Sequence, residues 1–261
     1  MELPDLTLRT CRFLRANWYG TRAGARIIGG AVVTVVPTNE SPFPSHNLNS
    51  ATFFGDEHGR PVPCDEVPSS ISAIIREFEQ AGVPRFFAHV YPPAMEETLE
   101  GELLRRGLKR FDSQRTTPSY VILTREMSAS IGPVTSNFEV RPLPPREGDK
   151  DFVHILGAFD GDTCVARARL HAFDGVGLLC GAFTDERYHR QGAQSLLIEA
   201  RLRLAKELGC DLAVSETLSI LHSSLGNLKR AGFVPAFTKR VYRSEKSEVV
   251  IRASSGGRTS C

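Results

Sequence analysis

One uninterrupted succession of strand, turn and helix restricts the fold of this chain more than any other feature. Residues 177–184, GLLCGAFT, are apolar enough for a buried strand, and the next eight residues contain no apolar run. Residues 193–208 repeat apolar side chains at helical intervals, and Gly209 is a helix stop signal. The predicted apolar face is Ala193, Leu197, Ala200, Leu204 and Leu208, with Arg201 mostly off it. The helix must therefore pack its apolar face on a sheet.

Further strands surround this unit. Residues 152–159 and 163–173 are apolar runs joined by Asp160-Gly161, and Asp174-Gly175 leads into the strand at 177. Asp-Gly between apolar runs is typical of type I′ hairpins, whose two central residues need positive φ. A strand, a helix and a strand follow at 212–217, 222–232 and 238–243. The pattern predicts an α/β (α+β) fold with a mixed, mostly antiparallel central sheet flanked by helices.

The first half of the chain also alternates helices and strands. The predicted elements are a helix at 3–18, a strand or hairpin at 25–36, a helix at 69–82, a strand at 85–91, a helix at 95–107 and a strand at 120–125. Residues 131–137 are small and polar, which suits a linker. Because 261 residues exceed the usual size of one domain, we expect domains at 1–130 and 138–245 and a mobile tail at 246–261.

The composition of the chain limits which partners and which cellular compartment we expect. A net charge of +2 gives no electrostatic reason to expect binding to nucleic acid or to a membrane surface. The six cysteines are scattered without paired spacing, which favours reduced thiols. The chain begins without an apolar signal region and has no run of about 20 apolar residues. We therefore expect a cytoplasmic protein, a monomer or homodimer, whose partner is a small molecule.

The turn before the long helix has the chemistry of an anion site. The first amides of a helix have no partner within the helix, and the helix dipole adds positive charge there. Gly192 allows a ligand to approach the backbone closely, and Arg187, His189 and Arg190 add donors nearby. The turn therefore predicts a site for a pyrophosphate.

At this point the residues resemble a known family. The stretch from His189 to Leu197, HRQGAQSLL, is similar to the acetyl-CoA loop of GNAT (Gcn5-related N-acetyltransferase) enzymes. Asn227 and Ala231-Gly232-Phe233 resemble the family's later motif, and the likeness covers 138–243. It implies acetyl-CoA or coenzyme A as donor co-substrate and no metal. The implied cofactor-binding residues are Ala182, Phe183, Thr184, His189, Arg190, Gln191, Gly192, Ala193, Gln194, Ser195 and Asn227.

The chain departs from the family pattern at several positions. His189 stands where Arg or Gln is usual, Gln194 where a small residue is usual, and Leu228 where the family often has a tyrosine acid. Only eight residues, 144–151, stand where two helices normally wall the acceptor cleft. We expect the N-terminal half to build that wall.

The N-terminal half itself shows a weak likeness to the family. Residues 102–108 echo 227–233, which suggests a tandem GNAT-like repeat whose first copy has lost its phosphate loop. Before Gly107 we identify no glycine-bearing turn from a strand to a helix with basic neighbours.

The resemblance implies transfer of an acetyl or other acyl group to an amine or hydroxyl of a small molecule. Glu216 is the candidate general base, and Ser224 or Tyr242 the candidate proton donor. Other interpretations stay open: Glu216 as a salt-bridged strand carboxylate, Ser224 as a helix cap, and Cys180 as a buried thiol rather than a nucleophile. For the whole chain, the alternatives are other acyl-thioester chemistry, such as decarboxylation or condensation, and a non-catalytic acyl-CoA-binding module. The loop at 42–50 is a plain connection or a lining of the acceptor cleft.

Overall fold

The structure is a computed structural model that describes residues 5–22, 24–36, 49–92, 94, 97–111, 120–128, 130 and 132–244. The predictions for the tail at 246–261 and for most of the loop at 42–50 lie outside these residues. The helices are α1 Asp5–Thr21, α2 Val67–Gln80, α3 Glu97–Arg105, α4 Ala193–Glu207 and α5 His222–Arg230. The strands are β1 Arg26–Ile28, β2 Ala31–Thr34, β3 Ser50–Thr52, β4 Phe87–Val90, β5 Lys109–Arg110, β6 Tyr120–Glu126, β7 Glu139–Leu143, β8 Val153–Asp160, β9 Thr163–Phe173, β10 Val176–Thr184, β11 Leu212–Leu218 and β12 Val234–Arg243.

All the described strands belong to one mixed sheet in which antiparallel pairs predominate. The order is β1-β2-β3-β4-β12-β6-β11-β10-β9-β8-β7, and β5 pairs with β12. Two pairs are parallel, β3 with β4 and β10 with β11. The predicted fold class is confirmed.

Each half of the sheet contains the same arrangement of elements. In the N-terminal half β2 is antiparallel to β3, and β3 is parallel to β4 across helix α2. In the C-terminal half β9 is antiparallel to β10, and β10 is parallel to β11 across helix α4. A short helix follows each parallel pair, α3 after β4 and α5 after β11.

The last strands of the two halves are exchanged. Strand β6 follows the N-terminal elements but pairs with β11, whereas the end of β12 pairs with β4. The two exchanged strands also pair with each other at the centre of the sheet. The predicted domain boundary at 131–137 stays a prediction. Strands from before and after this segment belong to the same hydrogen-bonded sheet.

Helices cover both faces of this sheet. Helices α2 and α3 bury Ile71, Ile74 and Leu103 against Ala88 and Val90. Helix α1 lies on the opposite face, where Phe13 and Leu14 share an apolar cluster with Ile122, Leu178 and Val214. Helix α1 therefore brings N-terminal residues onto strands of the C-terminal half. None of the described helices combines the length and hydropathy needed to cross a bilayer.

Of the two predicted Asp-Gly hairpins, one has the predicted turn and the other does not. Asp174 and Gly175 both have positive φ, as a type I′ turn requires. The other hairpin instead places Gly161 and Asp162 at its centre, because Asp160 pairs with Thr163, and a leading glycine is typical of type II′. The turn from β3 to α2 also contains Gly55, Gly59 and Arg60, so a glycine-bearing basic turn does occur before Gly107.

Candidate active site and the cleft between two parting strands

Strands β10 and β11 pair for only part of their length. Their register runs from Val176 beside Leu212 to Leu179 beside Ser215, and both strands then continue without pairing to each other. A register shift between Cys180 and Phe183 lies at this point, with Gly181 at a φ of 58°. Such a bulge bends one strand and increases its twist. The two strands part there, and a cavity of about 960 Å³ lies beside them.

Helix α4 begins at the wall of the same cavity. Gly192 precedes it with a left-handed φ of 90°, and no side chain caps the helix. The Leu196 amide donates to Gly192 O, so the amides of Ala193, Gln194 and Ser195 are the ones that the helix leaves without a partner. Gly192 and these three residues all line the cavity. The open amides and the positive end of the helix dipole therefore meet in one cleft.

Short contacts hold the turn before α4 in shape. Gln194 Nε2 donates to Thr184 Oγ1 at 2.6 Å, and His189 Nε2 lies 3.2 Å from Thr184 O. Arg187 is ion-paired with Asp185, with Nη2 and Oδ2 2.9 Å apart. Gln191 donates from Nε2 to Arg187 O at 2.9 Å, and it does not line the cavity. Its side chain therefore shapes the loop, and its role as a direct ligand of the cofactor stays a prediction.

Most of the predicted residues meet in this cleft. The predicted residues in its wall are Ala182, Phe183, Thr184, His189, Arg190, Gly192, Ala193, Gln194, Ser195, Glu216, Ser224 and Asn227. Tyr242 is not among them. The exchanged end of β12 carries it beside Ala88 into the N-terminal core, where burial and the nearby Glu100 raise the pKa of its hydroxyl to about 12. Tyr242 is therefore removed as a candidate proton donor.

Comparison with known proteins agrees with this geometry. Residues 123–233 match the profile of the acetyltransferase (GNAT) family. The chain contains a GNAT domain. No curated protein matched the chain. Among the described residues, no group of three or more His, Cys, Asp or Glu side chains is placed to hold a metal ion.

Solved structures resemble the whole chain and not the GNAT domain alone. A GCN5-related N-acetyltransferase from Kribbella flavida aligns over 94% of this chain and 97% of its own, with a TM-score of 0.68 and 17% identity. A tandem GNAT protein from the clavulanic acid biosynthesis pathway aligns over 86% and 81%, with a TM-score of 0.60 and 12% identity. A functionally unknown conserved protein from Staphylococcus epidermidis ATCC 12228 aligns over 86% and 95%, with a TM-score of 0.56 and 11% identity. At such low identity the likeness is one of fold.

Glu216 of the GNAT domain is both paired and open to the cleft. Lys239 Nζ donates to its Oε1 at 2.7 Å, and the Tyr91 hydroxyl donates to its Oε2 at 3.1 Å. Its side chain remains 25% exposed, whereas that of Lys239 is fully buried. Burial lowers the pKa of Lys239 although Glu216 opposes this, and burial together with the carboxylate raises the pKa of Tyr91. The interpretation of Glu216 as a salt-bridged carboxylate is correct, and the same group faces the cavity.

The N-terminal half supplies residues around this carboxylate. Tyr91 follows β4, Trp18 lies in α1, and Tyr120 opens β6. The Lys239 ammonium lies 4.3 Å from the centroid of the Tyr120 ring and 5.8 Å from that of Trp18. Sequence reasoning missed Tyr91 and Lys239, because only the strand exchange brings them beside Glu216.

Ser224 lies in the first turn of α5 at the cavity wall. Its hydroxyl accepts a hydrogen bond from Thr217 Oγ1 at 3.0 Å. The helix is preceded by Leu221, and no side chain caps it, so the alternative of Ser224 as a cap is wrong. Leu228, at the family's tyrosine position, is buried and also lines the cavity. Asn227 bonds to Arg230, another wall residue that the sequence reasoning missed.

Arg201 is the largest departure from the predicted face of α4. It is 2% exposed, whereas Leu208, which we predicted to be buried, is 46% exposed. Arg201 Nη1 donates to Arg169 O at 3.2 Å and to Cys180 O at 3.5 Å, two carbonyls beside the bulge. A signal was present in the sequence, because Arg201 lies four residues after Leu197 and four before Ala205.

Cys180 does not have the properties of a nucleophile. Burial raises the pKa of its thiol to about 11, although Arg201, Arg169 and Arg22 each oppose that shift. The thiol is therefore protonated at neutral pH and not activated for attack. The interpretation of Cys180 as an inert thiol agrees with this, although the residue is half-buried in the cavity wall and not fully buried.

Proposed function

We propose that this protein transfers an acetyl or other acyl group from coenzyme A to an amine or hydroxyl of a small molecule. The observation that supports this is the meeting of two features in one cavity of about 960 Å³. One is the uncapped start of α4, and the other is the pair of parting strands β10 and β11. An anion cradle beside a cleft between strands suits a long phosphorylated thioester.

The residues of the cleft match the parts of such a donor. The pyrophosphate would accept hydrogen bonds from the amides of Ala193, Gln194 and Ser195, with Arg190 as a nearby cation. The pantetheine arm would run between the two strands past Asn227. The thioester would then lie beside the bulge at Gly181, with its carbonyl oxygen facing backbone amides of β10.

The chemistry requires two proton transfers. Glu216 takes a proton from the acceptor amine or hydroxyl, directly or through water, as the acceptor attacks the thioester carbonyl. The carbon–sulfur bond breaks, and the coenzyme A thiolate takes a proton. Ser224 is the candidate donor, since Leu228 has no proton to give.

Turnover distinguishes the enzyme from a binding module. Purified protein is mixed with acetyl-CoA and a pool of small amines and alcohols, and free thiol and product masses are measured. Acceptor-dependent thiol release with products heavier by one acetyl group supports the proposal. Tight binding of acetyl-CoA without thiol release in any pool would instead indicate the binding module, and a product lacking the acetyl mass would indicate other thioester chemistry.

Two variants separate the roles of Glu216 as a base and as an ion-pair partner. Glu216→Gln leaves the Lys239 ammonium buried without a counter-charge, which costs about 3–5 kcal/mol of unfolding free energy. The double variant with Lys239→Met regains most of that stability. We expect its kcat to remain lower than the parent value by about 100- to 10,000-fold, the usual contribution of a general base. A double variant with parental kcat would remove Glu216 from the mechanism.

A further inference from the structure

Two guanidinium groups near the inner end of the cleft have no carboxylate partner within the part of the chain that the structure describes. We call the inner end the part of the cavity walled by Tyr120, Cys180 and Glu216. Arg22 follows α1 and is not itself a wall residue, and its guanidinium lies 4.6 Å from the centroid of the Trp18 ring. The Lys239 ammonium, which pairs with the wall residue Glu216, lies 5.8 Å from the same centroid. Among the described residues it has neither an ion pair nor a hydrogen bond from its side chain. Arg201, inside α4, donates only to the carbonyl oxygens of described residues.

The other charges at this end are already paired. Lys239 Nζ lies 2.7 Å from Glu216 Oε1, and Arg169 Nη1 lies 3.4 Å from Asp149 Oδ1. Arg201 lines the cavity and donates to Cys180 O at 3.5 Å, and Arg22 shares the Trp18 ring with Lys239. Among the described residues, the positive charges of Arg201 in the cavity wall and of Arg22 near it therefore remain without an ion pair.

Burial makes such uncompensated charge costly. Partial removal from water lowers the pKa of Arg22, and full burial lowers that of Arg201 to about 10. Arginine side chains stay charged in proteins at neutral pH. A buried cation without a counter-charge destabilises the protein until an anion neutralises it. Arg201 uses N–H donors in hydrogen bonds to the carbonyls beside the bulge. The planar guanidinium of Arg22 makes no such bonds to described residues, so its N–H groups can donate to an anion.

We propose that one of the two substrates carries a carboxylate group that reaches past the inner end of the cleft and pairs with Arg22. Trp18 holds the flat guanidinium from one side, which leaves its edge for two parallel hydrogen bonds to the carboxylate oxygens. Arg201 contributes its charge across the wall. This inference rests on the proposed function and specifies its substrate class.

The carboxylate has two possible sources. It belongs either to the acceptor, which is then an amino acid, or to the acyl chain of the donor, which is then a dicarboxylic acyl-CoA. The shared chemistry is a carboxylate close to the reacting thioester, and matched pairs of substrates distinguish the sources.

The experiment compares compounds that differ only in this group. One arm measures acetyl-CoA turnover with phenylalanine against 2-phenylethylamine and with leucine against 3-methylbutylamine, each amine being the amino acid without its carboxylate. The other arm measures binding of succinyl-CoA against butyryl-CoA by calorimetry. The variants are Arg22→Gln, which removes the charge, and Arg22→Lys, which keeps the charge without the fork. Arg76→Gln, at an exposed position of α2, removes a positive charge far from the cleft as a control.

We expect a preference for the carboxylate compound in one arm. Arg22→Gln should lower that preference by about 10- to 100-fold, and Arg22→Lys should restore part of it. The compounds without the carboxylate and the Arg76→Gln variant should stay within about twofold of the parent, as changes away from the contact do. Unfolding midpoints are measured for every variant, so that a loss of folding is recognised.

Equal use of both compounds in both arms overturns the inference, and so does a preference that survives Arg22→Gln. Failure of the proposed function gives a different result, namely coenzyme A binding without acyl transfer. In that case calorimetry of the same amino acids and amines in the presence of coenzyme A replaces turnover. Arg22-dependent binding of the carboxylate compound then supports the site, and its absence overturns it.

Discussion

The turns that lead into α2 and α4 occupy equivalent places in the two halves of the sheet. They differ in whether the first amides of the helix are open to an anion. Before α4, three amides lack a partner in the helix and line the cavity. Before α2, the Val67 amide donates to Pro63 O, Pro68 has no amide hydrogen, and Glu66 stands at the cap position. Arg60 in that turn is paired with Asp56 at 2.6 Å. Of these two described turns, only the one before α4 therefore presents a row of open helix amides to a cavity.

The spaces beside the two parallel strand pairs differ as strongly. In the C-terminal half the cavity measures about 960 Å³. In the N-terminal half a void of about 10 Å³ remains among Phe54, Pro61, Val62, Val67, Ala94 and Leu99. Strand β3 has no register shift against β2 or β4, whereas β10 bulges after Cys180. In the described part of the chain, the repeated arrangement thus opens a large cavity where a bulge parts the strands, and it stays closed where the strands pair without a bulge.

The largest expected effect tests the cradle. Gly192→Asp places a carboxylate at the open amides, and we expect coenzyme A binding to weaken more than about 1000-fold by calorimetry. Gly82→Asp is the matched control, since both glycines have positive φ and room for a Cβ, and both changes cost about 1 kcal/mol of strain. If Gly192→Asp binds coenzyme A as the parent does, the contrast between the two turns is wrong.

The next effect tests the filled half. Phe54 is 2% exposed beside the small void, so Phe54→Ala should cost about 3–5 kcal/mol in chemical denaturation while the Kd for coenzyme A stays unchanged. Phe183, 60% exposed in the open half, provides the comparison, and Phe183→Ala should change stability by less than about 0.5 kcal/mol. Weaker coenzyme binding in folded Phe54→Ala would show that the N-terminal half takes part in cofactor binding.

A smaller effect tests the support of the bulge. Arg201→Lys keeps a cation but cannot reproduce the bonds to Arg169 O and Cys180 O, so the bulge loosens. We expect kcat to fall by about 10- to 100-fold, with the KM for acetyl-CoA changing by less than about threefold. Arg203→Lys, on the exposed side of α4 beside Glu199, is the control. Equal losses in both variants would assign the effect to the helix and not to the bulge.

The smallest expected effect tests the contact between helix α1 of the N-terminal half and strand β9 of the C-terminal half. His171 on β9 lies 2.7 Å from Asn17 of α1, and burial lowers its pKa to about 4. In the unfolded chain the histidine is protonated below about pH 6.5, whereas in the folded chain it is protonated only below about pH 4. The unfolded state therefore binds more protons between these values, and the free energy of unfolding falls as the pH drops below about 6.5. Between pH 7 and pH 5 we expect a loss of about 1–2 kcal/mol. His171→Asn keeps a donor for Asn17 and should flatten this part of the pH profile; an unchanged profile would contradict the assignment.

The sequence predicted the cradle because its signals are local. Gly192, the apolar repeat of α4 and the strand before it are neighbours in the chain, and hydrophobic period and glycine placement are readable there. We predicted Arg201 to lie mostly off the buried face of α4 because it is charged. Its helical spacing from Leu197 and Ala205 indicated burial, and the structure shows it buried. The strand at 120–125 was also predicted, but not its position between β11 and β12.

By itself, the sequence determined the fold class, the order of helices and strands and the turn that opens α4, since each depends on residues close together in the chain. Only the tertiary structure decided the environment of Glu216. The exchange of β6 and β12 moves Tyr242 into the N-terminal core and carries Lys239 to the carboxylate that Tyr91 also reaches. The pairing of strands distant in the chain depends on how their buried faces match across the whole sheet, and no local pattern records that match.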